Sequence, residues 1–428
     1  MRKESFIHPR DEIMRTMDRI YRYRMTTTSG GNISLREEDG AIWITPAGVD
    51  KGNLRREDIV CVRPDGSVEG RHRPSSELPF HRKIYEARSD LHAIVHAHAV
   101  ALVAFSITRQ VPNTLLFHQA WRVCGQVAFV PYALPGSDEL GERIARAFAA
   151  GADCAVLENH GVVVGGRDLQ QAFQRFETLE FVAKTIIKAR LLGEVRYLDR
   201  SAAELGERVT PLDEFEREPP TNREKELRRE LAEFMRRGYQ QRLFISTAGS
   251  FSARVDEDSF IITPFEADRH ALRAEDFVLI RGGKCEAGKR PSRASRNHQA
   301  IYARHPEVGA ILNASPVNAM AFGVTDAPLD SRTIPESYLL LRDIARIPYG
   351  VQFVRPDDLA ARVSARSPVA LLENDGALVL GRSILEAFDR LEVLESTAES
   401  LINGRLLGAI APMSDETIEE LKRRFALA

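Results

Sequence analysis

The period of the apolar positions changes along the chain, and each change marks an element. Ile7, Ile13, Met14, Met17 and Ile20 recur at near-helical spacing, which predicts an opening amphipathic helix. Thr28-Ser29-Gly30-Gly31 breaks that pattern, and the strand Asn32-Ile33-Ser34-Leu35-Arg36 follows. Glu38-Asp39-Gly40 reads as a hairpin turn into Ile42-Trp43-Ile44-Thr45, which Pro46-Ala47-Gly48 closes. A third short strand runs from Ile59 to Val62, before a Pro64-Asp65-Gly66 turn. Ser75-Ser76-Glu77-Leu78-Pro79 has the composition of a helix start: hydroxyls able to cap, an acid for the first turn, and a proline tolerated there. Phe80, Ile84, Ala87 and Leu91 supply that helix's apolar face. His96-Ala97-His98 then lies in a strand, and Ala99 to Phe105 is a small-residue helical stretch. Cys154 to Leu157 is a buried strand ending in Glu158-Asn159-His160-Gly161. A long helix closes this half, with Leu169, Phe173, Phe176, Leu179, Val182, Ala183 and Ile186 three and four residues apart.

The whole pattern then recurs at a shift of about 215–218 residues. Residues 158–193 match 373–408 without a gap, with 18 of 36 positions identical. Pro74-Ser75 recurs as Pro291-Ser292, Ile84-Tyr85 as Ile301-Tyr302, and Ile44-Thr45-Pro46 as Ile262-Thr263-Pro264. The expected organisation is two domains of one fold, 1–210 and 224–428, joined by a charged linker at 211–223 that contains Pro219-Pro220. The length of 428 residues suits two domains.

The net charge of −2 gives no footprint for a nucleic acid or an anionic membrane surface. Cys61, Cys124, Cys154 and Cys285 are scattered without a CxxC pair, which suits free thiols in a reducing compartment. The opening Met1 to His8 has no apolar signal core, and no apolar run approaches the roughly 20 residues that span a bilayer. The expected location is the cytoplasm.

Histidines at i and i+2 on a strand share a face, so His96 and His98 can converge on one cation. His160 can supply a third imidazole, leaving a coordination position open as in catalytic metal sites. Imidazole ligation suits Zn2+ but also Mn2+, Co2+ or Fe2+. Glu77 reads either as a first-turn acid on a helix dipole or as a general base beside that cation. Ser75 and Ser76 read either as caps or as phosphate ligands, with Gly30-Gly31-Asn32 and Ala47-Gly48 adding backbone N–H groups. The second half bears on the readings of the histidines, Glu77 and Asn32. It carries Asn313 and Ser315 for His96 and His98, Asp375 for His160, Ala294 for Glu77 and Ser250 for Asn32. The frame is kept while these five candidate residues are replaced, so they are not requirements of the fold. His81 recurs as His298, which argues for a framework role, and the other histidines read as structural or solvent-facing.

The motifs Gly31-Asn32-Ile33-Ser34, Ile44-Thr45-Pro46-Ala47-Gly48, Pro74-Ser75-Ser76-Glu77, His96-Ala97-His98 and Asn159-His160-Gly161, in this order, resemble the class II aldolase/adducin family. The resemblance covers about residues 10–195, and the second half resembles the same fold with its site removed. It implies an α/β fold class: tandem three-layer αβα domains, each around a mixed, largely antiparallel sheet. It implies zinc or a similar divalent metal on His96, His98 and His160, Glu77 as acid/base, and a phosphate site using Asn32, Gly48, Ser75 and Ser76. The implied activity is retro-aldol cleavage of a ketose phosphate through a metal-stabilised enediolate. Epimerase, decarboxylase and dehydratase chemistry also occur in the family, and adducin-type head domains use the fold as an assembly scaffold. The implied assembly is a pseudo-four-fold ring made by a dimer of tandem chains. Two departures stand out: Ala47 occupies a position where the family often has a hydroxyl, and the family's interface tyrosine has no placed counterpart in Phe117-His118-Gln119-Ala120-Trp121.

Overall fold

The computed structural model describes residues 7–206 and 211–426. The opening residues 1–6, and the end of the expected first domain at 207–210, lie outside the described residues. Contacts group the chain into two units: residues up to Thr114 with Ala120–Lys184, and Leu115–Gln119 with Thr185 onward.

The first unit is built on an eight-stranded sheet. Its strands are β1 (Asn32–Arg36), β2 (Ile42–Ile44), β3 (Val60–Val62), β4 (Val68–Glu69), β5 (Ala93–Ala97), β6 (Val127–Val130), β7 (Cys154–Leu157) and β8 (Gly161–Gly166). The order is β4-β3-β2-β1-β5-β8-β7-β6, and only β6 and β7 run parallel. Strand alternation divides the apolar residues between two faces. Ile42, Ile44, Val60, Ile94 and Val163 pack with Phe80 and Ile84 of helix α2 (Leu78–Ala87) and with Leu140 and Ile144 of the Asp138–Ala149 helix. Burying each such side chain stabilises the fold by about 1.5–3 kcal/mol. The expected opening helix spans Pro9–Arg22, and its buried Ile13, Met17 and Ile20 form the layer on the other face.

One local expectation changes. Helix α2 begins at Leu78, with Glu77 at the N-cap and no side-chain cap bond. Ser75 and Ser76 therefore precede the helix, in the turn that leads into it.

The second unit repeats the design with β9 (Glu214–Phe215), β10 (Ser250–Arg254), β11 (Ser259–Ile262), β12 (Val278–Arg281), β13 (Lys284–Glu286), β14 (Ala310–Ala314), β15 (Ala345–Ile347), β16 (Val369–Leu372) and β17 (Gly376–Gly381). Its order is β15-β16-β17-β14-β10-β11-β12-β13-β9. Registers match across the repeat: Asn32 faces His96 in the first sheet, and Ser250 faces Asn313 in the second. The Pro46–Pro74 bridge likewise recurs as Pro264–Pro291. Within the expected linker, Glu214–Phe215 pairs in parallel with β13, and the next helix starts at Asn222.

Candidate metal centre

Asn32, Ser34 and His96 sit on the sheet face that carries α2, because they alternate with the opposite-facing Ile33, Leu35 and Val95. His96 and Glu77 are buried, and His98 and His160 are partly so. Each histidine is placed by its backbone surroundings. His96 Nδ1 donates to Val162 O at 2.9 Å, which fixes its tautomer and turns the Nε2 lone pair inward. His98 follows β5 and is crowded from two sides. A Cβ on Gly161 would lie 2.7 Å from His98 Cδ2, and one on Gly30 would lie 3.0 Å from His98 Nδ1. His160 follows Asn159, whose φ of 54° turns the chain sharply. Ser106 staples that turn: its Oγ donates to Leu157 O at 2.8 Å and accepts from the His160 N–H at 2.9 Å.

The three imidazoles converge. One nitrogen from each lies within 4.8 Å of the others, and His96 Nε2 and His98 Nε2 approach to 3.1 Å. Burial pushes His96 down to about 3 and His160 down to about 4, and lowers His98 as well. Neutral imidazoles with converging lone pairs are a donor set for a cation. Glu77 completes the cluster. Its Oε2 lies 3.3 Å from His96 Nε2 and its Oε1 lies 3.3 Å from His160 Nε2. Oε1 is buried and accepts no hydrogen bond, an orphaned anionic atom aimed at the histidines. These residues fit a divalent metal.

Behind Glu77 runs a chain of hydrogen bonds that motif reading did not assemble. Asn32 Nδ2 donates to Glu77 Oε2 at 2.6 Å, and Asn32 Oδ1 accepts from His81 Nε2 at 2.5 Å. His81 Nδ1 then faces Ser34 Oγ at 2.7 Å, and Ser34 Oγ faces the Tyr85 hydroxyl at 2.7 Å. Burial holds His81 well below its ordinary pKa, so it is neutral. The second unit keeps the outer part of this chain, Ser252–His298 at 2.7 Å and Ser252–Tyr302 at 2.8 Å. There His298 Nε2 meets Asn313 Oδ1 at 2.6 Å, and Ala294 stands where the first unit has Glu77. The Ser–His–Tyr group is thus framework in both copies, and only Asn32 connects it to Glu77. The recurrence of all three residue types in the sequence was the available signal.

The four residues expected to hold a phosphate divide. Asn32 has both amide atoms engaged, by Glu77 and His81. Ser75 Oγ accepts from the Glu77 N–H at 3.3 Å. Gly48 and Ser76 are exposed and make no hydrogen bond among the described residues, and neither does Ser29. Gly48 has φ +68°, and a Cβ built there would meet nothing within 4 Å, so open space adjoins its N–H.

In the second unit the same place is closed. Asp375 stands for His160, and its carboxylate is held by His118 Nε2 at 3.0 Å and Gln352 Nε2 at 3.1 Å. Ser250 and Ser292 hydrogen-bond each other through their hydroxyls. Among the described residues, His96, His98 and His160 are the one group able to hold a metal ion.

The profile of the family "Class II Aldolase and Adducin N-terminal domain" matches residues 11–187 and again 229–402. The chain belongs to this family, with two copies of its domain in tandem. The L-fuculose phosphate aldolase of Methanococcus maripaludis is 35% identical over 165 residues, 39% of this chain and 88% of that protein. The 3-oxo-tetronate 4-phosphate decarboxylase of Haemophilus influenzae is 34% identical over 194 residues, 44% of this chain and 90% of that protein. A solved l-fuculose-1-phosphate aldolase from Thermus thermophilus superposes with a TM-score of 0.38 at 25% identity, covering 42% of this chain and 93% of that one.

Proposed function

We propose that the first half of the chain is a metal-dependent lyase that cleaves a ketose phosphate by retro-aldol chemistry. The observation that carries this reading is the convergence of three neutral imidazoles and the orphaned Glu77 Oε1 on one point. His96, His98 and His160 would hold a divalent cation such as Zn2+. A cation there supplies Lewis-acid polarisation of a substrate carbonyl.

The remaining work falls to the chain. Glu77 takes or returns the proton at the reacting carbon, being the one carboxylate beside the cluster. Asn32 holds Glu77 Oε2, so that Oε1 is the atom presented for proton transfer. Gly48, Ser75 and Ser76 form a phosphate cradle at one end of the substrate, and Asn32 borders it. Burial of the cluster keeps bulk water from the developing carbanion. A second reading has its own support. Relatives of this chain include a 3-oxo-tetronate 4-phosphate decarboxylase, and the same cation, acid/base and cradle serve loss of CO2 from a phosphorylated 3-oxo acid. Epimerase and dehydratase chemistry remain open to the same constellation.

The test is turnover of a panel of ketose 1- and 5-phosphates and 3-oxo acid phosphates, read as carbonyl product or CO2. Chelation, or His96→Ala, is expected to abolish turnover while circular dichroism stays unchanged. Full turnover by metal-free protein contradicts the proposal.

We also propose that two chains form a closed dimer, a pseudo-four-fold ring. Its support is an apolar surface bare in one repeat and more covered in the other. Val317 opens a helix of the second unit and Val324 follows its end; Val317 is half-buried, Val324 is 0% exposed, and the Val324 carbonyl accepts from the Arg196 N–H at 2.8 Å. Their counterparts on helix α3 (Val100–Ile107) of the first unit, Val100 and Ile107, are 74% and 60% exposed. The segment that matches 191–198 in sequence, 406–413, carries the exposed Leu406, Leu407 and Ile410. A second chain can seat that segment on α3, and a two-fold axis closes both contacts at once.

A further inference from the structure

The proposed cradle adjoins one charged group that the chemistry above does not use. Lys51 is only 4% exposed. Its N–H donates to Thr28 O at 2.9 Å, and its Nζ donates to Pro46 O at 2.5 Å. It therefore ties the Thr28–Gly31 turn to the Pro46–Gly48 turn, and Pro46 is bridged in turn to Pro74, beside Ser75 and Ser76. No carboxylate hydrogen-bonds the ammonium, and the neighbouring Asp50 directs its Oδ1 to the Gly52 N–H instead. Among the described residues the ammonium makes one hydrogen bond and keeps two N–H groups without a partner. Burial lowers this amine to about 8, against the raising effect of Asp50.

The second repeat supplies the comparison, because Arg269 stands at this position. Its N–H donates to Ser246 O at 2.8 Å, as that of Lys51 does to Thr28 O. Its guanidinium donates to Pro264 O at 3.2 Å, the counterpart of Pro46 O. It also donates to Ala267 O at 2.8 Å and to Gly249 O at 3.0 and 2.7 Å. Arg269 is thus a strut with its donors spent on carbonyls. Around it, Gly48 has become Glu266 and Ser76 has become Arg293, so the cradle is gone. Where the cradle is intact, the cation keeps donors in reserve and no carboxylate hydrogen-bonds it.

We propose that Lys51 is the cation that makes this cradle selective for a doubly charged phosphate group, in place of the hydroxyl absent at Ala47. The inference rests on the cradle reading given under the proposed function. A buried ammonium with N–H groups to spare attracts an anion far more strongly than an exposed one, and lysine acts on phosphate as a point charge. A phosphate over Gly48 would take N–H donors from Gly48 and Ser76 and its counter-charge from Lys51.

The experiment titrates inorganic phosphate into the full chain by calorimetry, for the unsubstituted protein, Lys51→Gln and Lys51→Arg. Gln can still donate to Pro46 O but carries no charge. Arg keeps the charge, as Arg269 does at the matching position. The proposal expects Lys51→Gln to bind phosphate at least about tenfold more weakly and Lys51→Arg to bind within about threefold of the unsubstituted protein. Equal affinity in Lys51→Gln makes Lys51 a strut and overturns the proposal alone. Absence of phosphate binding by the unsubstituted protein overturns the cradle reading and this proposal together. If Lys51→Gln does not fold, the unsubstituted protein decides: phosphate is expected to protect Lys51 from acylation by a small reagent, read by peptide mass spectrometry. Unchanged labelling of Lys51 counts against the proposal.

Discussion

Glu77 and its counterpart Ala294 show how one position can be chemical in one copy and neutral in the other. Glu77 Oε2 is satisfied by Asn32 while Oε1 is left without a donor, a costly arrangement for a buried carboxylate unless a cation or substrate completes it. Glu77→Gln keeps the shape and can still accept from Asn32, but it cannot move a proton. It is expected to lower kcat by roughly a thousandfold while bound metal stays at the unsubstituted level. Loss of metal along with activity in that variant would make Glu77 a ligand instead of the acid/base. At this scale the sequence was informative about residue types. His96, His98, His160 and Glu77 were legible because the repeat replaces all four. Lys51 was not, because its counterpart Arg269 is also a cation, and only hydrogen bonds separate a spent charge from an unspent one. Asn32 was legible as a site residue, but its attachment to Glu77 and His81 depends on strand register and helix placement that motifs do not carry.

Among elements, helix α2 matters most. Its first residue sets Glu77 at the helix entrance, and its buried His81 and Tyr85 lock it to β1 through Ser34. The same lock in the second unit is testable without touching the metal centre. Burial pushes His298 down to about 4 from its ordinary 6.5. The folded form therefore stays neutral where the unfolded chain takes up a proton, so stability falls as pH drops from about 6.5 towards 4. The span corresponds to about 3 kcal/mol for a fully realised shift. Thermal melts across that range are expected to show a shallower pH slope for His298→Asn than for the unsubstituted protein; an identical slope would rule out His298 as a source. Element positions were largely legible from periodicity, but the helix boundary was not. Ser75 and Ser76 look like caps, yet the Pro46–Pro74 bridge and the Ser75 N–H bond to Thr45 O hold the chain to the sheet as far as Ser75, and a turn closed by the Leu78 N–H on Ser75 O then leads into the helix.

At the scale of the whole molecule, the internal repeat was the strongest signal in the sequence, and the two matching sheets bear it out. What the repeat could not reveal is that Leu115–Gln119 belongs by its contacts with the second unit, where His118 holds Asp375. That contact closes the altered site, while Val100 and Ile107 of α3 in the intact copy stay exposed. Sedimentation is expected to give a chain dimer, and Val100→Glu to give monomer, since a charge on that surface cannot be buried without a partner. A monomeric unsubstituted chain at micromolar concentration would remove the proposed ring. The central claim, that chemistry resides in one half only, is tested most directly by elemental analysis of the purified full chain. The account predicts one divalent metal per chain, falling to near zero in His96→Ala. Two metals per chain, or an undiminished content in His96→Ala, would contradict it.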